Sequence, residues 1–320
     1  MTPSRSARLV PVLAAVGAAL ALVAGCAGGG GDVSLPTSPT SGPSTPSAAV
    51  ATAPAPDCGD PRQSYSPSSS TSIGTIDRIK QRGRLRVAVS ADTLLFGFRD
   101  PITGQLKGFD IEVAKAVAKA IFGDDSKIDY TVVSYAQRIP ALMNDQVDLV
   151  ADVMTMNCKR WAQINFSSEY YTAGQKFLVR SDSPATSVND LGGKKVCAAN
   201  GSTNIDELKK YPELKVTGVD DVSDCMVLFQ QGRVVAVTGD DTVLAGFVKQ
   251  DPYAKVIGDR ITDEPYGLGI RKENVDFARF VNSVLDDIRQ SRWTQFYDQN
   301  VKTASDTGPD PQPPQPLYGR

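Results

Sequence analysis

One residue type equipped for chemistry is missing from this 320-residue chain: it contains no histidine. That excludes Ser-His and Cys-His triads and His-ligated metal sites. A general acid or base would have to be a carboxylate, and Asp152, Asp240 and Asp241 stand where a cleft could use one. Setting Cys26 apart near the N-terminus leaves Cys58, Cys158, Cys197 and Cys225. An even number in an oxidising compartment reads as two disulfides, with three connectivities open. Cys197–Cys225 is favoured, because a strand and a following helix within one lobe can bring them together. Cys58–Cys158 then pins the start of the folded part. A zinc site of four thiolates is the competing reading, weakened by the lack of a C-x2-C pair.

The other polar candidates sit at the ends of apolar runs. Arg160 and Thr155 follow the run Val147–Val153, and Val153 offers backbone groups beside them. Asp240 closes a second apolar run and opens a helical pattern, where it can cap the helix or face a ligand; Asp241 can exchange roles with it. Ser202 and Thr203 follow Gly201 at another helix start, suited to capping or to holding an anion. Arg138 precedes a helix close to Tyr135. In α/β sheets ligands lie off the carboxyl ends of strands, where these residues fall.

The ends of the chain set the compartment. Arg5 and Arg8 precede the uncharged apolar stretch Leu9–Val23. It is too short, and too soon followed by small residues, to span a membrane. Leu22-Val23-Ala24-Gly25-Cys26 looks like a bacterial lipobox. That resemblance implies removal of residues 1–25 and acylation of Cys26, which holds the protein on the outer face of the cell membrane. Residues 26–72 are Gly, Ser, Thr, Pro and Ala with few large apolar side chains, a composition expected of a disordered tether. The Pro-rich residues 301–320 read as a disordered tail. A formal net charge of −2 and the lack of basic clusters with interleaved aromatics point away from nucleic acid.

Between the ends, strand and helix patterns alternate. Leu85–Val89, Ile128–Val133 and Val147–Val153 read as strands. Val113, Ala114, Val117, Ala118 and Ile121 recur at helical spacing after Lys107–Asp110, and Gly123 stops that helix. A second series runs from Lys195 to Ile257. Extended stretches around Phe177–Arg180 and Pro265–Ile270 link the two, and helical patterns run from Val275 to about Gln299. The alternation predicts mainly parallel sheets with right-handed crossovers, in two lobes joined by a double-stranded hinge. The expected division is residues 73–179 and 265–300 for the first lobe and 180–264 for the second.

Several blocks then resemble the polar amino-acid-binding (family 3) extracellular solute-binding proteins that serve ABC-type uptake transporters. They are Gly108-Phe109-Asp110-Ile111-Glu112-Val113-Ala114, Gln137-Arg138-Ile139-Pro140-Ala141-Leu142, Val147-Asp148-Leu149-Val150, Ile164-Asn165-Phe166-Ser167, Asp190-Leu191-Gly192-Gly193-Lys194-Lys195-Val196, Asp240-Asp241-Thr242-Val243-Leu244 and Tyr266-Gly267-Leu268-Gly269-Ile270. With the lipobox, tether and cysteines, the chain is similar to the actinobacterial glutamate- or glutamine-binding lipoproteins. The resemblance implies a two-lobed, periplasmic-binding-protein-like (type II) α/β fold, no cofactor and no metal. It gives Arg160 the α-carboxylate of a free amino acid, with help from Thr155, Ser202 and Thr203, and gives Asp240 the α-ammonium. It places Arg138 against a side-chain carboxylate, which favours glutamate over aspartate, glutamine or asparagine, and Tyr135 against the ligand's methylenes.

Two positions depart from the pattern. Ser90 stands where many relatives carry an acid, and Thr93 where they carry an aromatic; Phe96 and Phe98 are candidate replacements for the missing wall. The partner implied is an ABC permease, with a membrane sensor protein as the alternative and a monomer as the default. Catalysis on the same fold, such as dehydration of a cyclic acid, would rest on Asp152 or another carboxylate of the cleft.

Overall fold

The computed structural model describes residues 56–72, 74–302 and 311–320. The expected signal peptide, Cys26 and the first part of the expected tether lie outside the described residues. The chain enters through β1 (Gln63–Ser64) and α1 (Gly74–Arg82), then builds β2 (Leu85–Val89), the small sheet β3 (Asp92–Thr93), β4 (Gly97–Arg99) and β5 (Leu106–Lys107), and α2 (Phe109–Phe122). Helix α2 buries Phe109, Val113, Val117 and Ile121, its helically spaced apolar face. It ends at Gly123, whose left-handed backbone (φ 73°) lets its N–H bond back to Lys119. At its start, Gly108 (φ 127°) runs so close to Phe96 that a Cβ would lie 2.1 Å from that carbonyl oxygen. Only glycine fits there.

Strand β6 (Ile128–Val132), α3 (Arg138–Met143), β7 (Leu149–Val150), α4 (Cys158–Trp161) and β8 (Asn165–Phe166) complete the first pass through lobe 1. The chain crosses on β9 (Tyr171–Ala173) and enters lobe 2: β10 (Gln175–Arg180), β11 (Lys195–Ala199), α5 (Thr203–Glu207), β12 (Lys215–Val219), α6 (Val222–Gln230), β13 (Ala236–Asp240), α7 (Asp241–Gln250) and β14 (Ala254–Ile257). It returns on β15 (Glu264–Tyr266) and finishes with β16 (Gly269–Ile270), α8 (Val275–Ser291), α9 (Trp293–Asn300) and β17 (Leu317–Tyr318).

The two five-stranded sheets share one design. Lobe 1 has the order β6-β2-β7-β16-β8 and lobe 2 the order β12-β11-β13-β10-β14. In each, four strands run parallel and one, β16 or β10, runs antiparallel between the third and the last. The hinge is the antiparallel pair β9–β15, with Tyr171 opposite Tyr266. Residues 175–179, expected in lobe 1, belong to the lobe 2 sheet through the register Gln175↔Asp240 to Val179↔Ala236. The crossing therefore lies at 171–174, because apolar alternation does not reveal which sheet a strand joins. Beside the hinge, Phe96, Phe109, Tyr171, Tyr266 and Trp293 interlock through edge and stacked contacts with ring centroids 5.0–6.0 Å apart. Such pairs add to the area they bury and fix ring orientation.

Both ends of the folded part differ from the sequence expectation. Residues from 56 onward are structured, although the tether was expected to reach 72: Ser64 is fully buried, and its hydroxyl donates to the Phe166 carbonyl. Residues 311–320, expected in a disordered tail, dock on lobe 1. There β17 pairs in parallel with β1, Tyr318 donates to Asp286, and the Arg320 guanidinium lies 4.0 Å from the centre of the Trp161 ring. A proline-rich composition signals the lack of a self-sufficient core; it does not prevent a segment from using another element's surface. The disulfide Cys58–Cys158 ties the N-terminal part to α4, and Cys197–Cys225 ties β11 to α6 inside lobe 2.

Candidate functional site

The carboxyl ends of β7 and β13 face each other across the cleft. Tyr135, Arg138, Val153, Thr155 and Arg160 line it from lobe 1; Ser202, Thr203, Asn204 and Asp240 are among the residues lining it from lobe 2. The space between them is about 10 Å³, smaller than an amino acid, so the lobes must part to admit one. A groove of about 1050 Å³ beside the hinge is larger but open, and it shares only Thr155 and Thr203 with the cleft lining. The buried charges converge in the smaller space, which we take as the site.

Arg160 is set by the short helix α4, whose cap Asn157 accepts the Arg160 backbone N–H at 2.9 Å. Its guanidinium is buried and donates to the carbonyls of Thr155 (2.7 Å) and, across the cleft, Gly201 (3.1 Å). Burial, and then the neighbouring Arg138 cation, push it down to about 9, so it remains charged at neutral pH. Gly201 (φ 75°) can approach because it lacks a Cβ, which would lie 2.6 Å from the Ala136 Cα of lobe 1.

Asp240 occupies the position before α7 but makes no side-chain cap bond there. Its oxygens instead accept from Asn204 Nδ2 (2.7 Å) and the Tyr266 hydroxyl (2.5 Å). Tyr266 is held by the aromatic cluster, so lobe 1 orients a carboxylate of lobe 2. Burial, then the nearby Glu264 carboxylate, raise Asp240 to about 7 against the opposing pull of those two hydrogen bonds. Asp241 does different work: it accepts backbone N–H groups of Gly174 and Thr242 and pairs with Arg260 at 2.6 Å. The exchange of roles left open by the sequence is absent in this geometry.

Three expected contacts are arranged otherwise. The Arg138 fork is spent mainly on backbone carbonyls, with Nε to Tyr135 (3.1 Å), Nη1 to Asp152 (2.7 Å) and Nη2 to Gly201 (3.4 Å), and it lies 4.3 Å from the Tyr135 ring centre. Ser202 caps α5, accepting the Ile205 N–H and donating to the Ala199 carbonyl. Ser90 does not reach the cleft lining: its hydroxyl donates to Asp92 or Thr93 and accepts their backbone N–H groups, closing its own turn. Nor do Phe96 and Phe98 line the cleft; Phe96 is core. Tyr135 lines the cleft with its hydroxyl 3.1 Å from that of Thr93, and Val153 lines it with a left-handed backbone (φ 37°), its N–H donating to buried Asp110.

Sequence reasoning passed over three residues. Glu264, on hinge strand β15, accepts hydroxyls from Thr155 of lobe 1 and Thr203 of lobe 2, both at 2.6 Å. Asn204 orients Asp240. Asp92 reaches from lobe 1 to accept the Ser223 N–H at 3.0 Å in the first turn of α6. No motif marks any of them, because each acts on an element remote in sequence.

Residues 85–303 match the family described as bacterial extracellular solute-binding proteins, family 3. The chain is 39% identical over 216 residues to a glutamine-binding protein of Geobacillus stearothermophilus, covering 66% of this chain and 82% of that one. It is 32% identical over 248 residues to the ABC transporter glutamine-binding protein GlnH of Bacillus subtilis, covering 77% and 91%. Among solved structures, a cysteine-binding protein from Campylobacter jejuni superposes with a TM-score of 0.71 at 28% identity, covering 74% of this chain and 97% of that one.

Proposed function

The chain belongs to the bacterial extracellular solute-binding proteins of family 3, which bind solutes and are not enzymes, and on that premise we propose that it captures a free polar amino acid of the glutamate–glutamine group and delivers it to an ABC-type permease. In this reading it works on the outer face of the cell membrane, anchored through acylated Cys26. One observation carries the amino-acid reading. Arg160 and Asp240 are buried on opposite walls of one cleft, and their hydrogen bonds go to uncharged groups only. A buried charge without a counter-ion is costly. An α-amino acid supplies both counter-ions at once, its carboxylate to Arg160 and its ammonium to Asp240, with the Thr155 and Thr203 hydroxyls beside them.

Glutamate is the reading carried by Arg138, the second buried cation of the cleft. Glutamine is the second reading, supported by the names of the relatives above and by the Arg138 fork being engaged with carbonyls. Calorimetric titration of the full-length, oxidised protein in detergent with glutamate, glutamine, aspartate and asparagine tests the proposal. At least one should bind at micromolar Kd or tighter, and Arg160→Ala should weaken it by about 100-fold or more, the scale for truncating one partner of a buried charge pair. Failure of all four to bind would overturn it.

A further inference from the structure

Glu264 begins hinge strand β15, is 2% exposed, and takes three hydroxyls, each at 2.6 Å. Its Oε2 accepts from Thr155 of lobe 1 and from Thr203 of lobe 2, and its Oε1 accepts from Thr262, two residues before it. Lengths of about 2.5–2.7 Å are those of hydroxyls bonded to an ionised carboxylate. The backbone fixes both cleft threonines. Thr155 forms an antiparallel β-bridge with Tyr266, and Thr203 opens α5 directly after the cap Ser202.

Thr155 and Thr203 line both the cleft and the open groove beside the hinge, whereas Glu264 lines the groove alone. Glu264 therefore stands behind the two threonines and acts on a ligand through them. A hydroxyl has one proton to donate and two lone pairs to offer, and an ionised carboxylate can only accept. The two hydroxyl oxygens lie 3.3 Å apart, beyond the usual O–H···O length, so neither proton is spent on the other. With both protons directed at Glu264, the threonines have none left for the cleft. What they turn toward a ligand is lone pairs.

We propose that Glu264 is a positioning residue: by holding the protons of Thr155 and Thr203 it makes both hydroxyls acceptors for the ligand's ammonium. An ammonium has three N–H donors, and Asp240 with the two threonine oxygens supplies three acceptors around one small space. This role rests on the amino-acid reading above. It moves the two hydroxyls to the ammonium from the carboxylate, where the family resemblance puts them. One oxygen of Glu264 cannot bond both threonines once the lobes part, so the acceptor set is complete only on closure. A ligand without the ammonium leaves those acceptors buried and unpaired, which is costly.

The test is a double-mutant cycle on the full-length protein: wild type, Glu264→Met, Thr155→Val/Thr203→Val, and all three changes together. Each is titrated with whichever of the four amino acids binds wild type most tightly, and with the same acid lacking its α-amino group (glutarate for glutamate, glutaramate for glutamine). The readout is the ratio of the two affinities on one preparation, which the fraction that folds does not alter. Glu264→Met removes the acceptor behind the threonines and frees their protons. It should lower the ratio by about tenfold more in the wild-type background than in the valine background, the scale of one hydrogen bond to a charged group. Thr203→Val alone serves the same comparison if the double variant does not fold. An unchanged ratio, or an equal fall in both backgrounds, would mean that Glu264 does not act through the threonines and would overturn the proposal, leaving amino-acid binding standing. No binding of any of the four by wild type would overturn the amino-acid reading itself.

Discussion

In the proposed complex Arg160 and Asp240 serve a ligand because the fold leaves them incompletely compensated, and the same condition makes the site sensitive to pH. Burial raises Asp152 and Asp240 to about 7 and Asp110 to about 6. In the proposed complex the ligand's ammonium must be met by an ionised Asp240 carboxylate. Affinity should thus be flat above about pH 8 and fall as pH drops through 7, by up to about tenfold per unit for each group that must ionise. Titrations at pH 6 in buffers of different ionisation enthalpy should show proton release on binding. Stability of the ligand-free protein runs the other way. Its folded carboxyls ionise later than those of the unfolded chain, so the stability they contribute is complete below about pH 4 and is lost as pH rises through 7. Asp152→Asn should accordingly raise the ligand-free melting temperature at pH 8, by an amount corresponding to roughly 1–2 kcal/mol for a buried polar group relieved of its charge.

At the scale of elements, the site depends on helix termini that borrow from the opposite lobe. The residue before α6, Asp221, makes no side-chain cap bond, and the acceptor for the Ser223 N–H is Asp92 across the cleft. A cap of this kind is worth about 1 kcal/mol, and it exists only while the lobes are closed. Asp92→Ala should leave the separate lobes intact and weaken ligand binding about fivefold, the equivalent of that energy. Small-angle scattering should show the ligand-free variant more open than wild type; an unchanged profile with unchanged affinity would deny the cap any part in closure. Glu264 belongs to the same class, since one hinge carboxylate ties hydroxyls from both lobes.

Considered as a whole, the described part of the molecule lays residues 58–65 and 311–320 against one side of lobe 1. The Trp161 indole donates to the Pro61 carbonyl, Arg320 covers its ring, and the Cys58–Cys158 disulfide lies three residues away in sequence. Removing residues 311–320 should lower the melting temperature by about 3–6 °C, the shift expected for a loss of ~1–2 kcal/mol in a domain of this size. It should also red-shift tryptophan emission as Trp161 meets water. Replacing Cys58 and Cys158 together removes a cross-link spanning 100 residues. Chain-entropy arguments put such a link at about 4–5 kcal/mol, so that variant should lose more than the truncated one.

Local signals in the chain were enough for the main strands and helices of both lobes and their order, though not for β1, the small sheet β3–β5 or β17. The apolar spacing before Gly123 makes α2, and the apolar run at 85–89 makes a strand with those bounds. Periodicity and turn chemistry act within a few residues, so they can be read without knowing the fold. The resemblance of residues 22–26 to a lipobox and the absence of histidine are also read from sequence alone. Tertiary structure decided what the polar side chains in and beside the cleft are bonded to. Ser202 and Ser90 turned onto their own backbones, Asp240 was chosen over Asp241, and the Arg138 fork was taken up largely by carbonyls. The two serines bond within three residues of themselves, whereas the settings of Asp240 and Arg138 depend on strand register and on the meeting of two lobes, contacts between segments far apart in sequence. The proline-rich C-terminus became ordered for the same reason: its partners, β1 and Trp161, lie more than 150 residues earlier in the chain.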